Sequence, residues 1–239
     1  TIILASYDHK TNNVTLMSIP RDFHVEVSKD VNWYVRINSI YSAAENKKEG
    51  EGIEALKETV ERVTGQEIQY HAMVDFKAFV EIIDTLGGID INVENSFTDY
   101  MYPDGTGYKT VTFKAGPQTM DGETALVYSR SRHSSQNNEG TDFARARRQQ
   151  KVIIAIKEKI LSSESLSNPR TIMGVISSIA DNIKVSEFTI DDIDAGFELA
   201  KNFEKENGQI YSFVLDPSSG GSLLVDRKNL ESGAYAIGP

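Results

Sequence analysis

Between Arg130 and Lys151 the chain carries six basic side chains, Arg130, Arg132, Arg145, Arg147, Arg148 and Lys151, against only two acids, Glu139 and Asp142. The protein around them is acidic: 239 residues hold 25 Lys and Arg against 35 Asp and Glu, a formal charge of −10. Such a local inversion of sign calls for a local anion. Guanidinium forks match phosphate oxygens two at a time, so a cluster of them suits one highly charged ligand. Asp142, Arg145 and Gln149 are spaced to share one face of a helix near its start. Free N–H groups and the positive dipole end favour an anion there as well. Arg130 and Arg132 share a face if Tyr128–Arg132 is extended, although so few residues leave helix and extended chain both open. Arg130, Arg132, Arg145 and Gln149 are therefore read as an anion site. A plain surface reading covers Arg147, Arg148 and Lys151, and lets Asp142 simply pair with Arg145. It is adopted for Arg147 and Lys151.

A second pointer is Arg21–Asp22, which follows Ile19–Pro20 at the end of an apolar strand, where ligands collect in open α/β sheets. Other constellations are weaker. The histidines His9, His24, His71 and His133 form no metal-type pair, and no G-x-S-x-G elbow is present. His71 reads as a satisfied structural histidine, and His133 as exposed, though beside Arg132 it could touch a phosphate. Gly105-Thr106-Gly107 reads as a turn. Asp191, Asp192 and Asp194 lack calcium-loop spacing and read as first-turn helix acids. Zero cysteines exclude disulfide scaffolds, thiol nucleophiles and Cys-ligated zinc. The acidic balance argues against a nucleic-acid coat. No run approaches the roughly eighteen apolar residues of a membrane span, and any anchor is expected upstream of Thr1.

The elements that must position these residues are read from periodicity and punctuation. Thr1–Ser6 reads as a buried strand and Val14–Ile19 as its hairpin partner, with turn chemistry in His9–Asn13. Ile53, Leu56, Val60 and Val63 recur at helical spacing up to Gly65. A strand around Ile68–Val74 precedes Asp75, the cap of a helix whose Phe76, Phe79, Ile83 and Leu86 share a face, closed by Gly87 and Gly88. Ile89–Val93 alternates as a strand. Glu94–Gly116 reads as an exposed excursion ending in a short strand near Thr110–Lys114. Asp121 caps a short helix through Val127, Ser134–Gly140 is a polar loop, and a long helix covers Thr141–Leu161. Three further helical segments and a strand at Gln209–Leu215 complete the chain. The class is α/β, a mixed central sheet flanked by helices on both faces. One domain is expected over 1–239, with Asn168–Asn207 as its helical part.

Four stretches together resemble the LytR-CpsA-Psr family of cell-wall glycopolymer transferases: Val14–Asp22 (VTLMSIPRD), Arg36–Tyr41 (RINSIY), Phe79–Val93 (FVEIIDTLGGIDINV) and Met120–Gln150. The last carries M-D-G-x-x-A-L-x-Y-x-R-x-R, D-F-x-R and R-R-Q-Q in an order and spacing that is highly specific. The resemblance implies an extracytoplasmic domain tethered by an N-terminal membrane helix. It would move a phosphate-linked glycopolymer, such as teichoic acid or capsular polysaccharide, from a polyprenyl pyrophosphate carrier onto peptidoglycan. The family's pyrophosphate-binding arginines fall on Arg21, Arg130, Arg132 and Arg145, its glutamine on Gln149, and Asp142 matches the acid before the helical arginine. Its lipid tail lies in an apolar tunnel between sheet and helices. Its magnesium-binding aspartates lie immediately upstream of Thr1, so no Mg2+ ligand is assignable in this chain.

The reaction so implied is displacement at the glycopolymer-side phosphorus by a sugar hydroxyl, with arginines stabilising the charge that develops. Asp22 is expected to orient Arg21 rather than to take a proton, since a carboxylate beside arginine is a poor base. Other readings are a pyrophosphatase, a polyprenyl-pyrophosphate binding module without transfer, and a transcriptional regulator. Acidity and the lack of a recognition-helix motif argue against the last.

Overall fold

A computed structural model describes residues 1–28, 33–162, 182–187, 189–215, 225–227 and 236–238. They group into two compact units. The first takes in Thr1–Leu4, Met17–Gln69 and Phe213–Pro239, the second Ala5–Leu16 and Tyr70–Ser212.

Strands β1 (Ile2–Asp8), β2 (Asn13–Ile19) and β11 (Ile210–Val214) form a three-stranded sheet in the order β1-β2-β11. The short loop between β1 and β2 turns at Asn12, whose φ of 54° is one that Asn tolerates. Val14 N–H donates to the Gln209 carbonyl at 2.9 Å and Leu215 N–H to the Ser18 carbonyl at 3.1 Å, so β2 and β11 run in the same direction. β1 is only partly buried, contrary to its apolar reading, because among the described residues it lies at the edge of the sheet. The remaining described strands pair two by two. The hydrogen bonding among the described residues thus gives a small mixed sheet and five two-stranded ladders, not one continuous sheet.

In the first unit, β3 (His24–Ser28) and β4 (Trp33–Arg36) pair antiparallel. Helices α1 (Ile40–Lys47) and α2 (Gly52–Thr64) follow and pack together. α2 buries Val60 and ends at Gly65 in the left-handed region, φ 68°, where the sequence places its stop. Strands β12 (Val225–Arg227) and β13 (Ala236–Gly238) also pair.

The second unit carries the site. β5 is only Ala72–Val74 and pairs with β10 (Ile183–Val185), a strand that the helical reading of 168–207 missed. Asp75 caps α3 (Phe76–Thr85) by accepting Ala78 N–H, and Gly87 and Gly88 close it with positive φ. β6 (Ile89–Val93) alternates buried and exposed as expected, and pairs with β9 (Gly116–Met120). Between them the chain makes a long hairpin, β7 (Phe97–Asp104) and β8 (Gly107–Phe113). This corrects the exposed-excursion reading. The register shifts between Asp99 and Tyr102, so a strict two-residue alternation is lost while Phe97, Asp99, Tyr102 and Phe113 all turn inward. Gly105 supplies the turn with φ 59°.

Helix α4 spans Gly122–Arg130, capped by Asp121 through Thr124 N–H at 2.8 Å. A Cβ on Gly122 would lie 2.3 Å from the Val80 carbonyl oxygen, so glycine alone lets α4 start against α3. Asp84 holds the Gly122 N–H at 2.7 Å. Helix α5 (Asp142–Ser162) packs on α4 and β6 and buries Ala144, Arg148, Gln150, Val152 and Ala155. Helix α6 (Ile190–Lys205) opens with Asp191 and Asp192 in its first turn, as expected, and Asp192 accepts Thr189 N–H at 2.7 Å. The helical segment expected before it, over 168–181, lies outside the described residues. No described helix is long and apolar enough to cross a membrane.

Candidate active site at the α4–α5 junction

Every α-helix ends with carbonyls that lack an intrahelical partner. At the end of α4 side chains of α5 supply them. Arg148 Nε donates to the Tyr128 carbonyl at 2.9 Å, Gln149 Nε2 to the Ser129 carbonyl at 3.2 Å, and Arg148 Nη2 to the carbonyl of Ser131. Arg148 Nη1 reaches the Glu139 carbonyl at 3.0 Å and the Glu139 carboxylate at 2.5 Å. The guanidinium lies over the Phe97 ring, 4.7 Å from its centroid, and Arg148 is 3% exposed. Burial lowers its pKa and the Glu139 carboxylate opposes that shift; arginine's ordinary value is so high that the group stays charged. The surface reading of Arg148 is thus overturned.

The second basic residue read as solvated, Lys151, spends its ammonium on Glu94 at 2.6 Å. Arg147 is exposed as expected. These charges, with Glu139 and Arg148, line a small cleft that contains none of Arg130, Arg132, Arg145 and Gln149.

Helix α4 runs on through Arg130 and stops at Ser131, so Arg130 and Arg132 do not share a strand face. Arg130 stacks on Phe76, 4.0 Å from the ring centroid, and donates to the Tyr102 hydroxyl at 3.3 Å. Phe76 is 58% exposed and so is not the core residue expected from helical spacing. Burial raises the pKa of the Tyr102 phenol while Arg130 opposes it. Arg132 follows the helix end. Among the described residues its guanidinium has no hydrogen-bond or ion-pair partner; its backbone N–H donates to Asp99 Oδ2 at 3.0 Å. Asp142 and Arg145 pair at 2.9 Å, and the Arg145 side chain is 13% exposed. Because α5 side chains hold residues 128, 129 and 131, Arg132 lies one residue beyond a clamped carbonyl and Arg145 one helical turn from the clamping residues.

Arg21 and Asp22 belong to the first unit, where Ile37 N–H donates to the Phe23 carbonyl at 2.8 Å and brings Arg36 beside them. Asp22 then lies between two cations, 3.4 Å from Arg21 Nε and 3.5 Å from Arg36 Nε. Two other histidine readings resolve. His71 Nδ1 meets the Ser186 hydroxyl at 3.0 Å, the satisfied structural role expected; His133 Nδ1 lies 3.7 Å from Asp99 Oδ1.

Sequence reasoning missed Asp99 and Tyr102 and left Arg148 undecided. The signal for Asp99 was an acid two residues after the inward-facing Phe97, on a core-facing position of a strand. Among the described residues no group of three or more His, Asp and Glu side chains converges as a metal site. Asp22 is committed to two arginines and Asp99 to backbone amides. The residues described therefore do not fit the magnesium ion that the resemblance implies.

The sequence profile of the LytR_cpsA_psr family matches residues 1–216. The chain belongs to this family. The LytR_cpsA_psr chain is 30% identical over 234 residues to the polyisoprenyl-teichoic acid–peptidoglycan teichoic acid transferase TagV of Bacillus subtilis, covering 97% of this chain and 56% of TagV. It thus spans little more than half of that relative's length. The crystal structure of B. subtilis TagV superposes with a TM-score of 0.70 at 24% identity, over 99% of this chain and 81% of that one. A structure of TagT bound to LIIa-WTA gives 0.69 at 21% identity, over 99% and 77%. Both show that the fold is that of LytR_cpsA_psr proteins.

Proposed function

We propose that this chain transfers a phosphate-linked glycopolymer, of teichoic acid or capsular polysaccharide type, from a polyprenyl pyrophosphate carrier to peptidoglycan. The observation that carries the reading is Arg132, a cation without a protein counter-ion among the described residues, two residues after Arg130 and directly after the carbonyl that Arg148 clamps. A pyrophosphate supplies the anion that Arg132 lacks. The name of TagV, a teichoic acid transferase acting on peptidoglycan, fits the same substrate class.

A sugar hydroxyl of peptidoglycan attacks the glycopolymer-side phosphorus, the bridging P–O bond breaks, and polyprenyl phosphate leaves. The hydroxyl proton ends, in the balance, on the released phosphate. Negative charge spreads over bridging and peripheral oxygens in the transition state, and preorganised guanidinium donors lower its energy. Arg132 and Arg145 are assigned that role and Arg130 and Gln149 grip of the diphosphate; Arg21 is oriented by Asp22 within the first unit. Phe76, stacked under Arg130, with exposed Val74 and Met73 before it, offers an apolar lane for the prenyl tail. The domain works on the outer side of the cell membrane, where peptidoglycan lies.

The test is transfer from a synthetic prenyl-pyrophosphate donor to peptidoglycan fragments by the full-length protein. Arg132→Ala and Arg145→Ala should each cost about a hundredfold to a thousandfold in rate with unchanged melting temperature. Full transfer by both variants would refute the assignment; phosphate release that ignores added peptidoglycan would make the protein a pyrophosphatase.

A further inference from the structure

The peptide group between Ser131 and Arg132 is held at both ends. Its carbonyl accepts Arg148 Nη2 and its N–H donates to Asp99 Oδ2 at 3.0 Å. Arg148 comes from α5 and Asp99 from β7, and neither is local in sequence to the peptide they grip. Asp99 is 0% exposed. Burying a carboxylate is costly unless several donors satisfy it. Here its two oxygens take the N–H groups of Met101 at 2.9 Å, Arg132 at 3.0 Å and His133 at 3.3 Å, with the His133 ring 3.7 Å away. Packing alone would be served by an apolar side chain between Phe97 and Tyr102.

We infer that Asp99 and Arg148 are a pair of positioning residues that fix the Ser131–Arg132 peptide and thereby aim the Arg132 guanidinium. The inference rests on the reading of Arg132 as a ligand to the diphosphate. Hydrogen bonds to charged groups are about twice as strong as neutral ones, and turning this peptide breaks one at each end. A long, otherwise unrestrained arginine so acquires a fixed root. Ordering is in place before the ligand arrives, so less binding free energy is lost to it.

The test is a double-mutant cycle on the full-length protein, with inorganic pyrophosphate as the probe and its affinity measured by calorimetry. Asp99→Asn keeps the shape and one acceptor but removes the charge. It should weaken pyrophosphate binding about tenfold in the parent and less than twofold in an Arg132→Ala background, because its effect passes through Arg132. Equal factors in both backgrounds, or none in the parent, would overturn the inference while leaving the proposed function standing. If Arg132→Ala itself leaves pyrophosphate affinity unchanged, both fall. Should Asp99→Asn fail to fold, Arg148→Lys enters the same cycle with the same expected outcome, since an ammonium cannot span the Tyr128 and Ser131 carbonyls as a fork does.

Discussion

At the α4–α5 junction Arg148 is buried to 3% exposure among two helix-end carbonyls, the Glu139 carboxylate and two aromatic rings. Around Asp22 the arrangement is reversed. There one carboxylate serves two guanidiniums, Arg21 and Arg36, whose side chains are 37% and 43% exposed. Among the described residues each region also holds a buried oxygen without a hydrogen bond, Ser131 Oγ in the first and Asp22 Oδ1 in the second. The contrast teaches that arginine count alone says little about an anion site. What matters is the number of acceptors the fold supplies. The junction supplies enough to consume Arg148 and leave Arg132 open, while at the corner Arg21 and Arg36 share the Asp22 carboxylate.

The sharpest way to break the comparison is Arg148→Ala. It strands Glu139 and two carbonyls in a buried setting and should cost about 3 to 5 kcal/mol of folding stability, read from urea unfolding. A cost under about 1 kcal/mol would place Arg148 with the surface arginines. Next comes alkali. Burial pushes the Tyr128 phenol up to about 12, with the Arg148 guanidinium opposing, whereas an unfolded tyrosine titrates near 10. Between those values the native state holds the proton and the unfolded chain has given it up. Stability is therefore full below about pH 10 and falls toward pH 12, by on the order of 2 to 3 kcal/mol. Tyr128→Phe should remove that part of the alkaline loss in pH-dependent melts.

Asp22→Asn probes the corner. With an orienting role, transfer should drop about tenfold with an unchanged pH profile, whereas loss of a general base would cost roughly a hundredfold to ten-thousandfold and remove a titration. The smallest effect is Ser131→Ala. Deleting a buried hydroxyl without a partner should raise stability by up to about 1 kcal/mol, seen as a higher urea midpoint at constant slope.

Much of the frame was legible in the sequence because its signals are local. The Gly65 stop of α2, the Asp75 and Asp121 caps and the alternation of Ile89–Val93 each depend on residues within a turn or a strand. The β7–β8 hairpin was not legible, because a bulge between Asp99 and Tyr102 breaks the period and Pro103, Gly105 and Gly107 look like loop. Within the candidate site the residue types and their order were visible in advance, but not their allegiances. Gln149 donates to the end of α4, and Arg130 lies on an aromatic ring.

By itself the sequence determined the class, the Gly65 stop of α2, the Asp75 and Asp121 caps and the family, since these follow from near-neighbour chemistry and from motif order. Only the tertiary structure decided which arginine of the cluster is buried and which is left without a counter-ion. Arg148 becomes structural through carbonyls 17 and 20 residues away and a ring brought in by another strand. Arg132 is rooted through a carboxylate 33 residues upstream. Whether a charge is satisfied depends on which distant groups folding brings within hydrogen-bond reach, and no local pattern encodes that.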